Sequence, residues 1–519
     1  MPAGRHARPP GRDRRYGARV PFDVVVVGAG ATGAPLAARL SENPARRVLL
    51  LEAGPDEQPP ELLDAATMPA AAPGHPAAWA FPARLTPAVT AVVPRGRIVG
   101  GSTAVNGGYF VRGAPADFDR WAALGNPAWS WERVLPFFTA LEDDHDYGDR
   151  PGHGRGGPVP VVRDRPPHPV TTAFFAACAE LGFPAQPDQN DGGAPGFGPI
   201  PLSASGGMRH STAWTHLAPA RGRPNLTVLG GAVVRRVLFS GTRATGVVVS
   251  RDGRTEEVHA GEVILSAGAV QSPQLLLVSG VGPVAGLEAL GVPVVADLPE
   301  VGRGTTDHPE ITVAYRPVGA ALARTAALPL QGRLAFTAAG SPYAGDLEIL
   351  CWTRPLGAVV PGAGDDLSLR VALQQETSRG TIELVSPDPA APPRIDQHYL
   401  STPDDRARLR EGVRIAVRLL ETAAFRPLAA RTAAEPGDDV LADDHALDRW
   451  LAAHVGTAIH LSGGCRMGPG GVVDQHGRVH GVSGLRVADT SIFPVVTSSG
   501  PAATAVMAGE RIAALIESE

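Results

Sequence analysis

"FDVVVVGAGATGAPLAARLSENPARRVLLLEAG", residues 22–54, decides the fold. Val24 to Val27 form an unbroken β-branched run, the pattern of a strand buried on both faces of a parallel sheet. Gly28, Gly30 and Gly33 follow with G-x-G-x-x-G spacing. The first two glycines let the backbone turn tightly and approach a pyrophosphate, and the third lets helix and strand pack closely. Ala31 and Thr32 complete the turn and open a helix whose free N–H groups and partial positive charge suit phosphate. Arg47 to Leu51 reads as the second strand, ended by Glu52 and Ala53. Glu52 stands roughly 20 positions past the last glycine, the spacing of a carboxylate that accepts hydrogen bonds from adenosine ribose. The unit predicts dinucleotide binding. It does not separate NAD from FAD.

Working outward, 519 residues with 44% hydrophobic and 19% charged content describe a globular chain of two or more domains. The net charge of −5 excludes a nucleic-acid footprint over the whole surface. All 47 basic residues are arginine, which removes Schiff-base and lysine-base mechanisms. Cys178, Cys351 and Cys465 are too widely spaced for a disulfide framework or a CxxC metal site, and they fit a reducing compartment. The first 20 residues are arginine- and proline-rich and read as a disordered tail. They lack the apolar stretch of a signal peptide, and no run reaches the length of a transmembrane helix. These features predict a cytoplasmic protein, at most peripheral at the membrane.

A second glycine-rich stretch, "GRIVGGSTAVNGGYFVRG" (96–113), bares the backbone around Gly101, Ser102, Asn106, Gly107, Gly108 and Tyr109. Such a donor-rich surface suits a flat polar ring. "NLTVLGGAVVRRVLFSGTRATGVVVSRDG" (225–253) alternates as a strand meander. "EVILSAGAVQSPQLLLVSG" (262–280) reads as strand, turn and helix. "PGHGRGGPVPVVRDRPPHP" (151–169) reads as a connecting loop, and 405–424 and 445–454 as amphipathic helices with solvated arginine faces.

Four stretches in this order, 96–113, 268–283, 379–396 and 477–494, resemble signature segments of the glucose–methanol–choline (GMC) family of FAD oxidoreductases. The resemblance implies an α/β fold with a discontinuous Rossmann-like FAD-binding domain. A second, α+β substrate domain with an antiparallel sheet would lie over the flavin. The expected FAD-binding parts are 21–115, 225–304 and 456–519, and the substrate domain takes mainly 116–224 and 305–455. The resemblance also implies contacts to FAD from Asn106, Gly107, Gly108 and Tyr109, from the backbone of Val234 at the adenine, and from Asp489 near the diphosphate. Where some relatives link FAD through a histidine this chain has Val105, so a non-covalent flavin is expected.

Within "GTAIHLSGGCRMGP" (456–469), His460 reads on its own as a base, a metal ligand or a core histidine. His454, His460, His476 and His480 lack metal-site spacing, and no metal is expected. His460 falls where the family carries its active-site histidine. Oxidising an alcohol removes an O–H proton while hydride leaves carbon, and imidazole is matched to that proton transfer. The second active-site His or Asn of relatives corresponds to Gly500, so a roomier pocket is expected, with Ser498 or Ser499 as substitute partners. Segments 105–138 and 499–513 are most similar to the mycofactocin-system branch. That likeness implies reduced mycofactocin as substrate and electron transfer towards the respiratory chain. The alternatives are oxidation of small or choline-like alcohols, or a lyase that keeps FAD structurally.

Overall fold

The computed structural model describes residues 22–165, 167–319, 328–360, 364–431 and 436–519. The arginine-rich tail lies outside the described residues. The valine run forms the strand Phe22–Val27, flanked in parallel by Val48–Leu51 and by the end of Arg254–Leu265. Leu226–Leu229 and Leu485–Val487 add the outer parallel strands. Five chain-distant pieces thus meet in one parallel sheet, and Val25, Val26, Leu49, Leu50, Val263 and Ile264 are fully buried in it. Each such side chain contributes about 1.5–3 kcal/mol by leaving water. The helix Gly33–Leu40 packs against the C-terminal helix Ala502–Glu517.

The meander is real but begins later than its alternation suggests. Val233–Ser240, Arg243–Arg251 and Arg254–Leu265 pair antiparallel, whereas Leu226–Leu229 belongs to the edge of the parallel sheet. The stretch read as a connecting loop holds a short strand, Val159–Val161, paired with Glu142–Asp144. The two amphipathic helices are present as Pro403–Glu421 and Asp444–His454.

A second sheet is antiparallel, in the order Ala429–Arg431, Pro309–Pro317, Leu367–Leu373, Leu347–Trp352, Leu330–Phe336, Phe197–Pro199. Successive residues of a strand face opposite ways. One face, with Ile311, Val313, Leu369, Val371, Ile349 and Cys351, is fully buried in a core shared with the helix Pro403–Glu421. The other face looks onto a cavity between this sheet and the parallel one. A smaller sheet joins the hairpin Ala78–Arg84/Thr90–Gly96 to Arg394–Asp396, Gly380–Glu383 and Arg303–Thr305. The chain therefore forms the expected α/β architecture, a discontinuous Rossmann-like part beneath an antiparallel second sheet.

Candidate active site

The cavity holds about 910 Å³, near the top of the range of roughly 300–1,000 Å³ for ligand sites. One end is the glycine turn, lined by Gly28, Gly30, Ala31 and Thr32. Gly28 has φ 103°, and a Cβ there would lie 2.3 Å from the Ser266 carbonyl oxygen, so only glycine makes the turn. At Gly30 a Cβ would meet nothing nearer than Gly101 Cα at 3.9 Å. The turn is thus open at Gly30, where a ligand can approach the backbone. Gly33 stands behind the wall, where a Cβ would strike the Gly28 oxygen at 2.0 Å, and its role is close packing.

Glu52 and Ala53 line the next stretch. The Glu52 carboxylate accepts the N–H of Ala29 at 3.0 Å and of Gly54 at 2.9 Å. Burial pushes its pKa up to about 7 despite these bonds. Each oxygen keeps a further lone pair for a ligand hydroxyl. Val234 lines the same region. Asp489 also faces the cavity, and its carboxylate accepts the N–H of Gly268 at 2.9 Å and the hydroxyl of Ser272 at 2.5 Å. It therefore caps the helix Gly268–Val278. Gly101, Ser102, Val105, Asn106, Gly107 and Tyr109 form the middle of the wall, with Gly108 behind it at φ 74°.

At the far end, His460 meets a partner that the sequence reading did not identify. The Nδ1 atoms of His460 and His308 are 2.9 Å apart, and His308 Nε2 lies 2.9 Å from the carbonyl oxygen of Thr497. A carbonyl only accepts, so His308 Nε2 carries the proton and, in the neutral ring, Nδ1 is an acceptor. His460 Nδ1–H must then donate to it, which leaves His460 Nε2 with a free lone pair. That atom has no hydrogen-bond partner among the described residues, and His460 lines the cavity. Burial, then the nearby His308 and Arg95, hold the His460 pKa well below the usual imidazole value. It is a neutral acceptor at physiological pH.

Asp307 places both rings. Its Oδ1 accepts the backbone N–H of His308 and of His460, each at 2.7 Å, and its Oδ2 accepts the hydroxyls of Tyr399 and Thr457. A run of Asp-His-Pro-Glu at 307–310, two acids around a histidine at the head of a strand, was the available signal.

Gly500 provides no spare room. A Cβ there would lie 3.1 Å from His460 Cε1, His460 Nε2 and Tyr109 Cδ1 alike. The histidine and the tyrosine pack over it, which corrects the expectation of a roomier pocket. Ser498 and Ser499 are not substitute partners either. Ser498 donates to Asp117 at 2.8 Å and Ser499 to the Arg112 carbonyl at 2.9 Å.

The cavity face of the antiparallel sheet carries Glu310, Arg370, Glu348, Leu350, Trp352 and Leu330 at alternate positions. Glu348 accepts from Tyr109 at 2.7 Å and from Arg333 at 2.5 Å, and Glu310 pairs with Arg370 at 2.5 Å. Met68, Leu356 and Val360 close an apolar end. Glu142, Asp144 and His153 could together ligate a metal, but they lie outside this cavity and Arg112 and Arg163 already neutralise the two carboxylates.

The comparisons with known proteins cover nearly the whole chain. Two GMC oxidoreductase family models match residues 22–310 and 376–509. An uncharacterised GMC-type oxidoreductase of Rhodococcus erythropolis is 41% identical over 505 residues, covering 95% of this chain and 98% of the relative. A 5-(hydroxymethyl)furfural oxidase of a Methylovorus species is 37% identical over 535 residues, covering 95% and 98%. The crystal structure of pyridoxine 4-oxidase from Mesorbium loti superposes with a TM-score of 0.88 at 31% identity, covering 96% and 99%.

Proposed function

The chain belongs to the GMC oxidoreductase family of FAD-dependent enzymes, and from that premise we propose that it oxidises the CH–OH group of an alcohol with His460 as general base. The observation that carries this reading is the free Nε2 of His460, left unprotonated by the chain of bonds through His308 to Thr497. Bound FAD supplies the acceptor for the hydride that leaves the carbinol carbon. The backbone of Gly28 to Thr32 would hold its diphosphate, Glu52 its ribose, Val234 its adenine, and Gly101 to Tyr109 its ring, with Asp489 behind the diphosphate. The N-terminus of the helix Ala502–Glu517 opens on the cavity and favours negative charge there. Val105 offers no atom for a covalent link, which supports a flavin released by acid.

His460 takes the hydroxyl proton on Nε2 as the C–O bond becomes C=O, and Asp307 keeps the ring in place by its backbone. Met68, Leu350, Trp352, Leu356 and Val360 exclude water and favour an apolar or flat substrate body. Two of the relatives are, by their names, oxidases of 5-(hydroxymethyl)furfural and of pyridoxine, which supports this substrate class. Three buried, unpaired cysteines suit a cytoplasmic setting.

Anaerobic mixing with 5-(hydroxymethyl)furfural, pyridoxine, choline and reduced mycofactocin tests the reading by flavin bleaching. At least one alcohol should bleach the flavin, and His460→Ala should slow that step by about 10²–10⁴-fold with FAD retained. Bleaching by mycofactocin alone would place the chain in that branch. Bound flavin untouched by the whole panel would favour a lyase that keeps FAD structurally.

A further inference from the structure

We infer that Arg370 is a tethered cation that fills an ammonium subsite in this cavity, so that the enzyme selects uncharged alcohols over choline-like ones. The inference rests on the alcohol-oxidation reading above. A quaternary ammonium group is recognised by a carboxylate together with an aromatic face. Both are present on the cavity side of the antiparallel sheet, and the same guanidinium occupies both. Arg370 Nη1 donates to Glu310 Oε1 at 2.5 Å, and its guanidinium carbon lies 4.9 Å from the centre of the Trp352 ring.

The sheet register builds this arrangement. Arg370 stands opposite Thr312 and Leu350, so Glu310 and Trp352 are its diagonal neighbours on the same face. The two charged side chains keep only 16% and 8% of their surface accessible, and both line the cavity. The other carboxylate of this wall, Glu348, is held by Arg333. An incoming cation therefore finds each wall carboxylate already neutralised. Arg370 Nε is buried with no hydrogen-bond partner among the described residues.

The test compares choline with 3,3-dimethylbutan-1-ol, its uncharged isostere, by calorimetric binding to the flavin-loaded enzyme. Wild type should bind the isostere at least about tenfold more tightly than choline. Arg370→Leu should move that ratio towards choline by about tenfold or more, because Glu310 and the Trp352 face are then free. Adding Glu310→Gln should abolish the gain. Equal binding of the two ligands by wild type would overturn the inference, as would an unchanged ratio in folded, flavin-loaded Arg370→Leu. Should that variant fail to fold, Arg370→Gln keeps a polar side chain on the strand and reads the same ratio. Binding needs no turnover, so the ratio can hold while no alcohol bleaches the flavin. In that case the oxidation reading fails and the subsite stands.

Discussion

Replacing His308 by leucine tests the histidine pair without touching His460. In the native site the proton on His308 Nε2 is committed to the Thr497 carbonyl, and His308 Nδ1 is the acceptor that keeps the His460 proton on Nδ1. The substitution His308→Leu would leave His460 Nδ1–H buried with no acceptor, a loss of about 1–3 kcal/mol. Shifting the proton to Nε2 relieves that cost, because Nε2 faces the cavity, but the resulting tautomer is no longer a base. The fraction of competent imidazole, and with it the rate of flavin reduction, should fall roughly 5- to 150-fold. Bound FAD should not change. His308→Asn places an amide oxygen near the lost nitrogen and should recover part of the rate. The pH profile gives a second readout. The His460 pKa lies well below 6.5, chiefly through burial and then through His308 and Arg95, so the wild-type rate should decline only in acid below that value. His308 is neutral at physiological pH, but its own protonation in acid opposes that of His460, so removing it should move the acid limb to higher pH. Stopped-flow reduction of the His308→Leu enzyme at the wild-type rate, with an unmoved limb, would refute the tautomer argument.

Three further outcomes are expected. Glu52→Gln sets an amide N–H₂ against the N–H of Ala29 or Gly54 and loses charge-assisted bonds worth about 1.5–3 kcal/mol each, so apo-protein should bind FAD about tenfold or more weakly in a titration. Gly500→Asn sets a Cβ 3.1 Å from both His460 and Tyr109, so the rings must give and flavin reduction should slow, by up to about 10²-fold where the shift grows to about 1 Å. A faster reaction with small alcohols would contradict that. Although burial opposes its charge, Asp144, Asp188 and Glu142 together raise the His153 pKa to about 10. The folded value exceeds the unfolded one, so this stabilisation is full below about pH 6.5 and disappears as pH climbs through 10. Melting curves of His153→Gln should therefore show a deficit near neutral pH that narrows as pH climbs through 10.

The glycine-turn end of the cavity was legible because its determinants are local. The valine run, the glycine turn and Glu52 lie within one stretch, and their spacing alone brings them to one sheet edge. The end that holds His460 was half legible. His460 stood out, but its partner lies 152 positions away and meets it only through the sheet that carries residues 309–317. Alignment pointed instead to position 500, and reasoning from the missing side chain suggested space. The structure shows why that failed: the volume at a glycine belongs to whatever packs over it, here His460 and Tyr109. The Glu310–Arg370 pair was hidden for a related reason. Both residues sit at polar positions of alternating strands, where a sequence reads as solvent-facing. Here that polar face looks into the cavity.

The geometry of the histidine pair follows from backbone strain held in place by a single carboxylate. Ile459 has φ 65°, a left-handed conformation that costs a β-branched residue on the order of 1–3 kcal/mol. Thr457 Oγ1 accepts the Ile459 N–H at 2.8 Å, and Arg95 donates to its carbonyl at 2.5 Å. The next N–H, that of His460, is thereby aimed at Asp307 Oδ1, which also accepts the N–H of His308. Asp307 Oδ1 thus ties the two backbones together, and the bond from His308 Nε2 to the Thr497 carbonyl fixes the first ring. The His460 ring meets it at 2.9 Å. Asp307 is a positioning residue, and Arg95 serves both to hold the strained turn and to keep His460 uncharged. An imidazole held in this way presents the Nε2 lone pair to the cavity.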